Sequence, residues 1–289
     1  MSNNSIIFPN LGITLENVGK NISIGGFTIA FYGIIIAIGM LVGVSYILRE
    51  AKRLGYSEDQ FLDICIITIV LSVIGARAYY CIFAWDYYKD NPISVLNIRQ
   101  GGLAIYGGIL TGVVTVTIIC RIKKYELLEV LDIVIFGVII GQIFGRWGNF
   151  FNREAFGQYS DGLFAMQLPM GAVRSTSDFT QQMLDNVVTI DGIDFVSVHP
   201  TFLYESMWNL GVLIIMLLTH KRKKFKGQIF ATYAIGYGVG RFWIEGLRTD
   251  QLKLWHSGIP VSQVVAVGMI VAGLLIVVLG LRKKPEQTA

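Results

Sequence analysis

One short segment of the chain combines side chains that could hold an anionic group. The segment 145–157 reads GRWGNFFNREAFG and contains Arg146, Asn149 and Glu154. Arginine presents a planar, permanently charged fork of N–H donors that matches phosphate oxygens, and two such forks can grip one phosphodiester. Asparagine supplies further donors. These residue types predict phosphate binding.

A second set of charges lies nearer the end of the chain. The set consists of Tyr237, Arg241, Glu245 and Arg248. Intervals of four, four and three residues stack these side chains on one helical face. Glu205, near the start of the preceding predicted helix, complements the dipole of that helix. A structural alternative stays open here, in which Arg146 or Arg241 only pairs with a glutamate to hold helices together. The candidate partners are Glu154, Glu205 and Glu245.

The composition indicates where these charges lie. Apolar residues make up 53% of the 289-residue chain and charged residues only 15%, against about 25% charged residues in soluble domains. The mean hydropathy is +0.58. We therefore expect an all-α polytopic membrane protein with no nucleic-acid partner. The net charge of +4 says little, because the placement of charge matters more than its sum in a membrane protein.

Seven apolar runs predict seven transmembrane helices, since one span needs about 20 residues. The runs are residues 27–48, 61–84, 102–120, 130–151, 201–219, 227–247 and 260–281. Fourteen of the 24 lysines and arginines follow the first, third, fifth and seventh helices. Excess basic charge marks the cytoplasmic face, so we expect the N-terminus outside and the C-terminus in the cytoplasm.

A long segment between the fourth and fifth helices predicts a small extracytoplasmic cap. The steps Asp161-Gly162 and Asp191-Gly192, beside short alternating stretches, favour hairpins and hence partial β content. The expected organisation has three parts. Residues 1–156 hold an N-terminal arm and helices one to four, residues 157–199 form the cap, and residues 200–289 hold helices five to seven and a basic tail.

This topology brings several polar residues to one depth near the outer surface. They are Arg77, Arg146 and Arg241 late in helices two, four and six, and Tyr32 and Tyr106 early in helices one and three. Charged side chains inside a bilayer are costly and usually functional, so the clustering favours a site. Arg153, nearer the surface, is expected to snorkel into water. Three tryptophans are expected to be interfacial anchors: Trp147, Trp243 and Trp255.

Signatures of other chemistries do not occur in the sequence. It contains no Walker-type loop, zinc signature or G-x-S-x-G elbow. His220 falls in a basic cytoplasmic cluster and His256 in the last external loop, so neither suggests a metal site. Three cysteines in apolar runs are expected to be buried packing residues: Cys65, Cys81 and Cys120. We therefore expect no metal and no cofactor.

The segment 145–157 resembles the signature of the prolipoprotein diacylglyceryl transferases, G-R-x-G-N-F-x-N-x-E-x-x-G, and every fixed position matches. It is called the signature segment from here on. Three further blocks are similar to the same family. They are residues 101–108, residues 199–205, and Tyr237-Gly238 with Arg241, Glu245 and Arg248. The resemblance covers essentially the whole chain, although residues 158–198 add little.

The resemblance implies a bacterial inner-membrane enzyme with its active site toward the outer leaflet. Such an enzyme moves the diacylglyceryl group of phosphatidylglycerol onto the lipobox cysteine of a prolipoprotein. The products are a thioether and glycerol phosphate, in the first step of lipoprotein maturation. The implied partners are phosphatidylglycerol, lipobox peptides and the bilayer. Two alternatives stay open: a membrane transporter for an anionic solute, which would favour internal repeats, and a non-catalytic phospholipid-binding scaffold.

The resemblance also implies roles for individual residues. Arg146 and Arg241 would bind the headgroup phosphate and stabilise its charge as it departs. Asn149 and Tyr32 would donate hydrogen bonds to lipid oxygens. The other candidates are Glu154 and Glu245 as groups that orient the arginines, Gly157 for close backbone approach, Tyr237 as a support for Arg241, and Arg248 in lipid binding.

One position departs from the family pattern. Many members carry histidine, a candidate base for the thiol, where this chain has Tyr106. A thiol has a pKa near 8.5 and a phenol near 10, so a neutral tyrosine is a weak base. Either the arginines help the thiolate to form, or Tyr106 only positions a lipid oxygen. We favour the positioning role because arginines lower the pKa of a neighbouring thiol. A packing role at the interface is the third alternative.

Overall fold

The structure is a computed structural model that describes residues 1–98, 101–254 and 257–282. Trp255, expected to be an interfacial anchor, and His256, expected in an external loop, lie outside the described residues. The chain forms two compact units. The first consists of Met1–Gly43 with Ile135–Ala289, and the second of Val44–Val134.

Long helices dominate both units, as the apolar runs predict. In chain order the helices are α1 (Phe31–Arg53), α2 (Glu58–Phe83), α3 (Trp85–Tyr88), α4 (Ile105–Lys123), α5 (Leu127–Asn152), α6 (Gln181–Asp185), α7 (Thr201–Thr219), α8 (Gln228–Leu247) and α9 (Val261–Arg282). Within the described residues, six are long and apolar enough to cross a membrane: α1, α2, α4, α5, α7 and α9. The mostly helical, membrane-type fold is therefore confirmed. The helix α8, which carries Arg241 and Glu245, is not among the six, so the count of seven spans stays a prediction.

Short strands form two small antiparallel sheets. The strands are β1 (Ile6–Phe8), β2 (Ile13–Leu15), β3 (Asn21–Ile24), β4 (Phe27–Ala30), β5 (Met166–Pro169), β6 (Val188–Ile190) and β7 (Ile193–Val198). Five of them make one sheet in the order β2-β1-β5-β7-β6, and β3 pairs with β4 in a second sheet. The N-terminal arm thus contributes two strands to the sheet of the expected cap, because β1 pairs with β5 across a long stretch of sequence.

The first long helix begins later than predicted. Residues 27–30 form the strand β4, and α1 starts at Phe31. Gly25 and Gly26 both have positive φ (57° and 83°), which suits the tight turn of a two-residue hairpin. The apolar residues before Phe31 alternate along this hairpin and do not follow a helical period, so the start at residue 27 was wrong.

The two Asp-Gly steps have different structures. Asp191 and Gly192 form the predicted hairpin turn between β6 and β7, with φ of 52° and 76°. At Asp161-Gly162 the predicted hairpin is absent, since within the described residues no strand ends immediately before this turn. Asn10 Nδ2 instead donates to the carbonyl oxygens of both residues at 2.8 Å, so a contact from the N-terminal arm holds this turn.

The core of the larger sheet continues into the helices that carry the candidate site. Phe8 of β1 and Val198 of β7 share one buried cluster with Phe150 near the end of α5 and Phe202 near the start of α7. The Phe150 and Phe202 rings lie 4.7 Å apart between centroids. The sheet and the two helix ends are therefore packed as one body, which fixes the direction in which the chain leaves α5.

Glycines allow the long helices of the first unit to pack closely. A Cβ atom on Gly43 of α1 would lie 3.0 Å from the carbonyl oxygen of Gly137 on α5. A Cβ atom on Gly238 of α8 would lie 2.8 Å from the carbonyl oxygen of Ala266 on α9. Small residues at such contacts are typical of membrane helices, whose association depends on close van der Waals packing.

Candidate functional site

Two arginines from different helices meet at one carboxylate. Arg146 Nη2 on α5 lies 2.6 Å from Glu205 Oε1 on α7, and Arg241 Nη1 on α8 donates to Glu205 Oε2 at 3.1 Å. The Glu205 side chain is 2% exposed. Its charge is therefore balanced by the two guanidinium groups and not by water. This bridge joins three helices at the ends nearest the larger sheet.

Arg241 is held by three neighbours. Besides its bond to Glu205, its Nη2 lies 2.5 Å from Glu245 Oε2 and donates to Ser262 Oγ on α9 at 3.2 Å. Glu245 is one turn further along α8, so the four-residue spacing seen in the sequence allows the two side chains to form an ion pair. Because the guanidinium donors point in fixed directions, three contacts define the plane of the group.

The signature segment continues this network from Arg146. Arg146 Nη1 donates to Asn149 Oδ1 at 3.4 Å, and Asn149 Nδ2 donates to Glu154 Oε1 at 3.0 Å. Arg153 and Ala155 both have positive φ (52° and 58°), a conformation uncommon in residues other than glycine. The chain turns sharply at these positions, and Glu154 thereby reaches back to the end of α5.

Glu154 is a second meeting point of polar groups. Asn152 Nδ2 also donates to Glu154 Oε1, at 3.1 Å, and Arg174 pairs with Oε2. Burial lowers the pKa of an arginine, but the hydrogen bond to Glu154 raises the pKa of Arg174 above its ordinary value. The Arg174 side chain is 70% exposed, so solvent screens this end of the network more than the Glu205 end.

Tyr32 on α1 packs directly against the signature segment. A Cβ atom on Gly148 would lie 2.6 Å from Cδ2 of the Tyr32 ring, so this glycine lets the ring approach α5. The Tyr32 hydroxyl lies in electrostatic range of Glu154, Arg146 and Arg174. The predicted donor and the predicted arginine network are therefore brought together in the first unit.

Gly157 joins the end of the signature segment to two other helix ends. Its N–H donates to His199 O at 2.9 Å, and the N–H of Gln158 donates to Leu247 O at 2.8 Å. A Cβ atom on Gly157 would lie 2.7 Å from His199 Cβ and 3.0 Å from Leu247 O. The close backbone approach at this glycine is made to the protein's own chain.

Replacing Gly157 with alanine is expected to destabilise the first unit by about 1–3 kcal/mol, because the added methyl group must displace well-packed backbone. Thermal unfolding in detergent measures the effect. Gly171→Ala is the matched control, since a Cβ atom there meets nothing within 4 Å. Equal unfolding midpoints for the two variants would contradict the steric argument.

Tyr237 lies on the same helical face as Arg241. Arg248 lies one residue beyond the end of α8 with an extended backbone, so the predicted stripe on one face stops at Glu245. Arg248 Nε and Nη2 donate to Asp250 Oδ1 and Oδ2 at 2.9 and 2.7 Å. Burial opposes the charge on Arg248, but the two hydrogen bonds outweigh it and raise its pKa. The Tyr237 ring stacks on Tyr233 with centroids 5.4 Å apart. The Nε and Nη2 donors of Arg248 are thus bound to Asp250. Lipid binding by its other donors stays a prediction.

Arg153 does not snorkel into water, which corrects the expectation from sequence. It is 1% exposed, and its guanidinium donates to the carbonyl oxygens of Asn4 (3.0 Å), Val18 (2.5 Å) and Phe151 (3.3 Å). Burial lowers its pKa. Two of the three partners, Asn4 and Val18, lie in the N-terminal arm, far away in sequence, so local position gave no indication of them. Arg153 ties that arm to the end of α5.

Replacing Arg153 with leucine is expected to release the N-terminal arm, because leucine cannot donate to Asn4 O and Val18 O, and a hydrogen bond from a charged group contributes about 1.5–3 kcal/mol. Hydrogen exchange should become faster at the Val18 amide, which donates to Asn4 O. Exchange in β7 serves as the internal reference, and Arg174→Leu is the control variant. An unchanged Val18 exchange rate would show that Arg153 does not hold the arm.

Two sequence candidates lie in the second unit. Tyr106 is half-buried and is the second residue of α4. Arg77 on α2 donates to five carbonyl oxygens of the loop that precedes α4. Among them are Gly101 O at 2.8 Å and Gly102 O at 2.9 Å. Both glycines have positive φ (86° and 77°). Arg77, to which the sequence assigned no role, therefore shapes the loop that leads into the Tyr106 helix.

The arrangement in the first unit suits phosphate chemistry. Each guanidinium has five N–H donors and presents part of them to carboxylates, which leaves donors for an anion. The Arg146 side chain is 20% exposed, so a ligand can reach it.

In the described parts of the chain, no group of three or more His, Cys, Asp or Glu could hold a metal ion. The sequence did not reveal the central position of Glu205, or the contacts of Ser262 and Asp250, because these partners are distant in the chain.

Comparison with known proteins gives consistent matches. The family model described as prolipoprotein diacylglyceryl transferase matches residues 20–279. The phosphatidylglycerol–prolipoprotein diacylglyceryl transferase of Bacillus cytotoxicus is 40% identical over 271 residues, which is 92% of each chain. The protein of the same name from Finegoldia magna is 42% identical over 255 residues, covering 88% of this chain and 92% of its own.

Proposed function

The chain belongs to the prolipoprotein diacylglyceryl transferase family, and we propose that it transfers the diacylglyceryl group of phosphatidylglycerol to the lipobox cysteine of prolipoproteins. Two observations support this proposal. The names of the relatives specify this donor and this class of acceptor, and the signature segment carries an arginine into a buried charge network. The products are a thioether-linked lipid and glycerol phosphate.

The reaction is a substitution at carbon. The cysteine sulfur forms a bond to the glyceryl carbon, and the bond from that carbon to the phosphate oxygen breaks with its electron pair going to oxygen. The phosphate changes from a diester with one negative charge to a monoester that can carry two. The thiol proton leaves either to a base or to the phosphate itself. Catalysis therefore consists chiefly of stabilising the added charge on the leaving group.

The observation that carries the proposal is the pair of arginines held by Glu205. Arg146 and Arg241 meet the same carboxylate from different helices, so the two guanidinium groups lie close enough to contact one phosphate. Donors fixed before the substrate arrives need no reorganisation as charge develops, and they act most strongly where water is excluded. Glu205 and Glu245 keep the two positive groups together despite their repulsion.

The remaining candidates have supporting roles in this scheme. Asn149 and Tyr32 donate to lipid oxygens, and Glu154 orients Asn149 through the bond at 3.0 Å. Gly157 lets the signature segment approach the backbone at His199 and Leu247. Tyr237 packs one turn from Arg241, and Arg248 adds positive charge near the headgroup.

The proposed setting is the bacterial cytoplasmic membrane, with the arginine network toward the outer leaflet. The helix α8 then completes seven spans, its charged face turned to the bundle interior because lipid would penalise it. The excess of lysine and arginine on alternate loops supports an N-terminus outside and a C-terminus in the cytoplasm. The larger sheet then caps the site on the outside.

An assay with purified components tests the function. The protein is incubated with phosphatidylglycerol vesicles and a lipobox peptide, and the peptide mass is measured. An added diacylglyceryl group, absent when the cysteine is replaced by serine, is the expected result. Anion uptake into proteoliposomes without lipid consumption would favour a transporter. Lipid binding without any adduct would favour a scaffold, and either result would overturn the proposal.

Tyr106→Phe is expected to lower kcat/KM about fivefold, the effect of one lost neutral hydrogen bond, with no change in the shape of the pH–rate profile. This result follows if Tyr106 positions a lipid oxygen. A base acts only when it is deprotonated, so loss of the rise in rate with increasing pH would identify Tyr106 as the base. Full activity would leave it a packing residue. Tyr106→His in the same assay shows whether an imidazole at this position adds a new titration near its pKa of about 6.5.

A further inference from the structure

A second polar layer lies one helical turn beyond the arginine–glutamate bridge, on the side away from the larger sheet. It consists of Gln142 on α5, Asn209 on α7 and Tyr237 on α8. Each of these residues is four positions from the charged residue of its own helix, so each lies on the same helical face as that residue.

The register of α5 and α7 places two members of the layer opposite each other. The helices run antiparallel, with Trp147 Nε1 donating to Ser206 Oγ at 3.2 Å and Ser206 Oγ donating to Ile143 O at 3.4 Å. One turn along from these contacts, Gln142 comes opposite Asn209.

Contacts with α8 place that helix at the same level. Gln142 Nε2 donates to Tyr233 Oη at 2.8 Å, and Trp208 Nε1 donates to Gly236 O at 2.8 Å. Gly236 immediately precedes Tyr237, and Trp208 immediately precedes Asn209. Three helices therefore contribute to the layer, and its member on α7, Asn209, is 0% exposed.

Several polar atoms in and above this layer have no hydrogen-bond partner among the residues that the structure describes. Neither Oδ1 nor Nδ2 of Asn209 has one, and the same holds for Gln142 Oε1. Glu205 Oε1 contacts Arg146 as an ion pair but receives no hydrogen bond. Buried polar atoms in folded proteins are nearly always satisfied, by the protein or by ordered water. So many unpartnered atoms within one helical turn point to a small polar ligand.

We propose that this layer is an internal water site, in which at least one ordered water is held by Asn209 and Gln142 and donates a hydrogen bond to Glu205 Oε1. The polar partners meet the requirement of two to four hydrogen bonds per buried water. Asn209 has no exposed surface, so its side-chain amide is out of reach of a lipid headgroup. Asn209 and Gln142 are then positioning residues that act through Glu205 on the arginine pair.

This inference rests on the proposed transferase function, because its kinetic test uses that reaction. Water under Glu205 fixes the carboxylate, and the carboxylate fixes both guanidinium groups before the phosphate arrives. Losing the water leaves the arginines in place but less well aligned with the developing charge. The loss should therefore appear in kcat, which reports the transition state, more than in KM for phosphatidylglycerol.

Asn209→Leu tests the site, since leucine has a similar size but cannot hold water. We expect kcat to fall roughly 10- to 100-fold, the effect of a hydrogen bond to a charged group, with KM changed less than about twofold. Asn209→Ser should restore most of the activity, because its hydroxyl and the freed space hold water. Thr68→Val is the matched control: it removes another buried, unpartnered hydroxyl, in the second unit, and should be neutral.

A high-resolution map of the wild-type protein gives an independent result, namely a water peak within hydrogen-bond distance of Asn209 and Glu205. Wild-type kinetics in Asn209→Leu would overturn the proposal, as would a map in which the Asn209 amide bonds only to protein. If Asn209→Leu does not fold, Asn209→Ser and the map decide. An inactive wild-type protein would instead refute the transferase function, and the map would still test the water site.

Discussion

Glu205→Ala is expected to destabilise the folded protein by about 3–5 kcal/mol, the range found when one partner of a buried ion pair is removed. Arg146 and Arg241 would then lie close together without the carboxylate that now separates their charges at 2.6 and 3.1 Å. Their repulsion in a poorly solvated place should open the contact between α5, α7 and α8. The thermal unfolding midpoint in detergent measures this effect, and transfer activity should be lost as well.

Two further variants separate charge from size. Glu205→Gln keeps the volume but not the charge, so it should remain strongly destabilised. Glu58→Ala removes a carboxylate whose ion pair with Lys52 is exposed to solvent, and its midpoint should stay near that of the wild type. A wild-type midpoint for Glu205→Gln would mean that Glu205 does not hold the arginines together.

Arg241→Ala is expected to lower kcat/KM about 10²- to 10³-fold, the effect of removing a preorganised donor to a developing negative charge. Arg241→Lys should recover little of this loss, because a lysine keeps the charge but not the planar fork that meets Glu205, Glu245 and Ser262 at once. Initial rates of diacylglyceryl transfer measure both variants.

The loss must be distinguished from misfolding, since Arg241→Ala leaves Glu245 buried without its partner. The double variant Arg241→Ala/Glu245→Ala removes both charges, so it should fold better than the single variant and remain inactive. Arg174→Ala is the matched control at the exposed end of the network, where a less than tenfold loss is expected. Activity recovered in the double variant would assign the effect of Arg241 to folding alone.

Features that depend on neighbouring residues could be predicted from the sequence. The long helices follow from uninterrupted apolar runs, and the pairing of Arg241 with Glu245 follows from their spacing on one helix. The Asp191-Gly192 turn needs only two residues that tolerate positive φ. In each case the interaction partners are close in the chain.

Features that depend on contacts between distant segments could not be predicted. Nothing near Glu205 in the sequence shows that two arginines from other helices converge on it. The same applies to Arg153, whose partners Asn4 and Val18 lie in the N-terminal arm, and to β1, which joins a sheet formed mainly by residues after 165. The sequence shows that buried charges need partners, but only packing decides which partners they obtain.

The position of the lipid phosphate tests the central claim most directly. A structure of the protein with phosphatidylglycerol bound should show the phosphate within hydrogen-bond distance of both Arg146 and Arg241, with Glu205 still between the two guanidinium groups. A headgroup bound elsewhere, with both arginines engaged only by Glu205, Glu245 and Asn149, would contradict it.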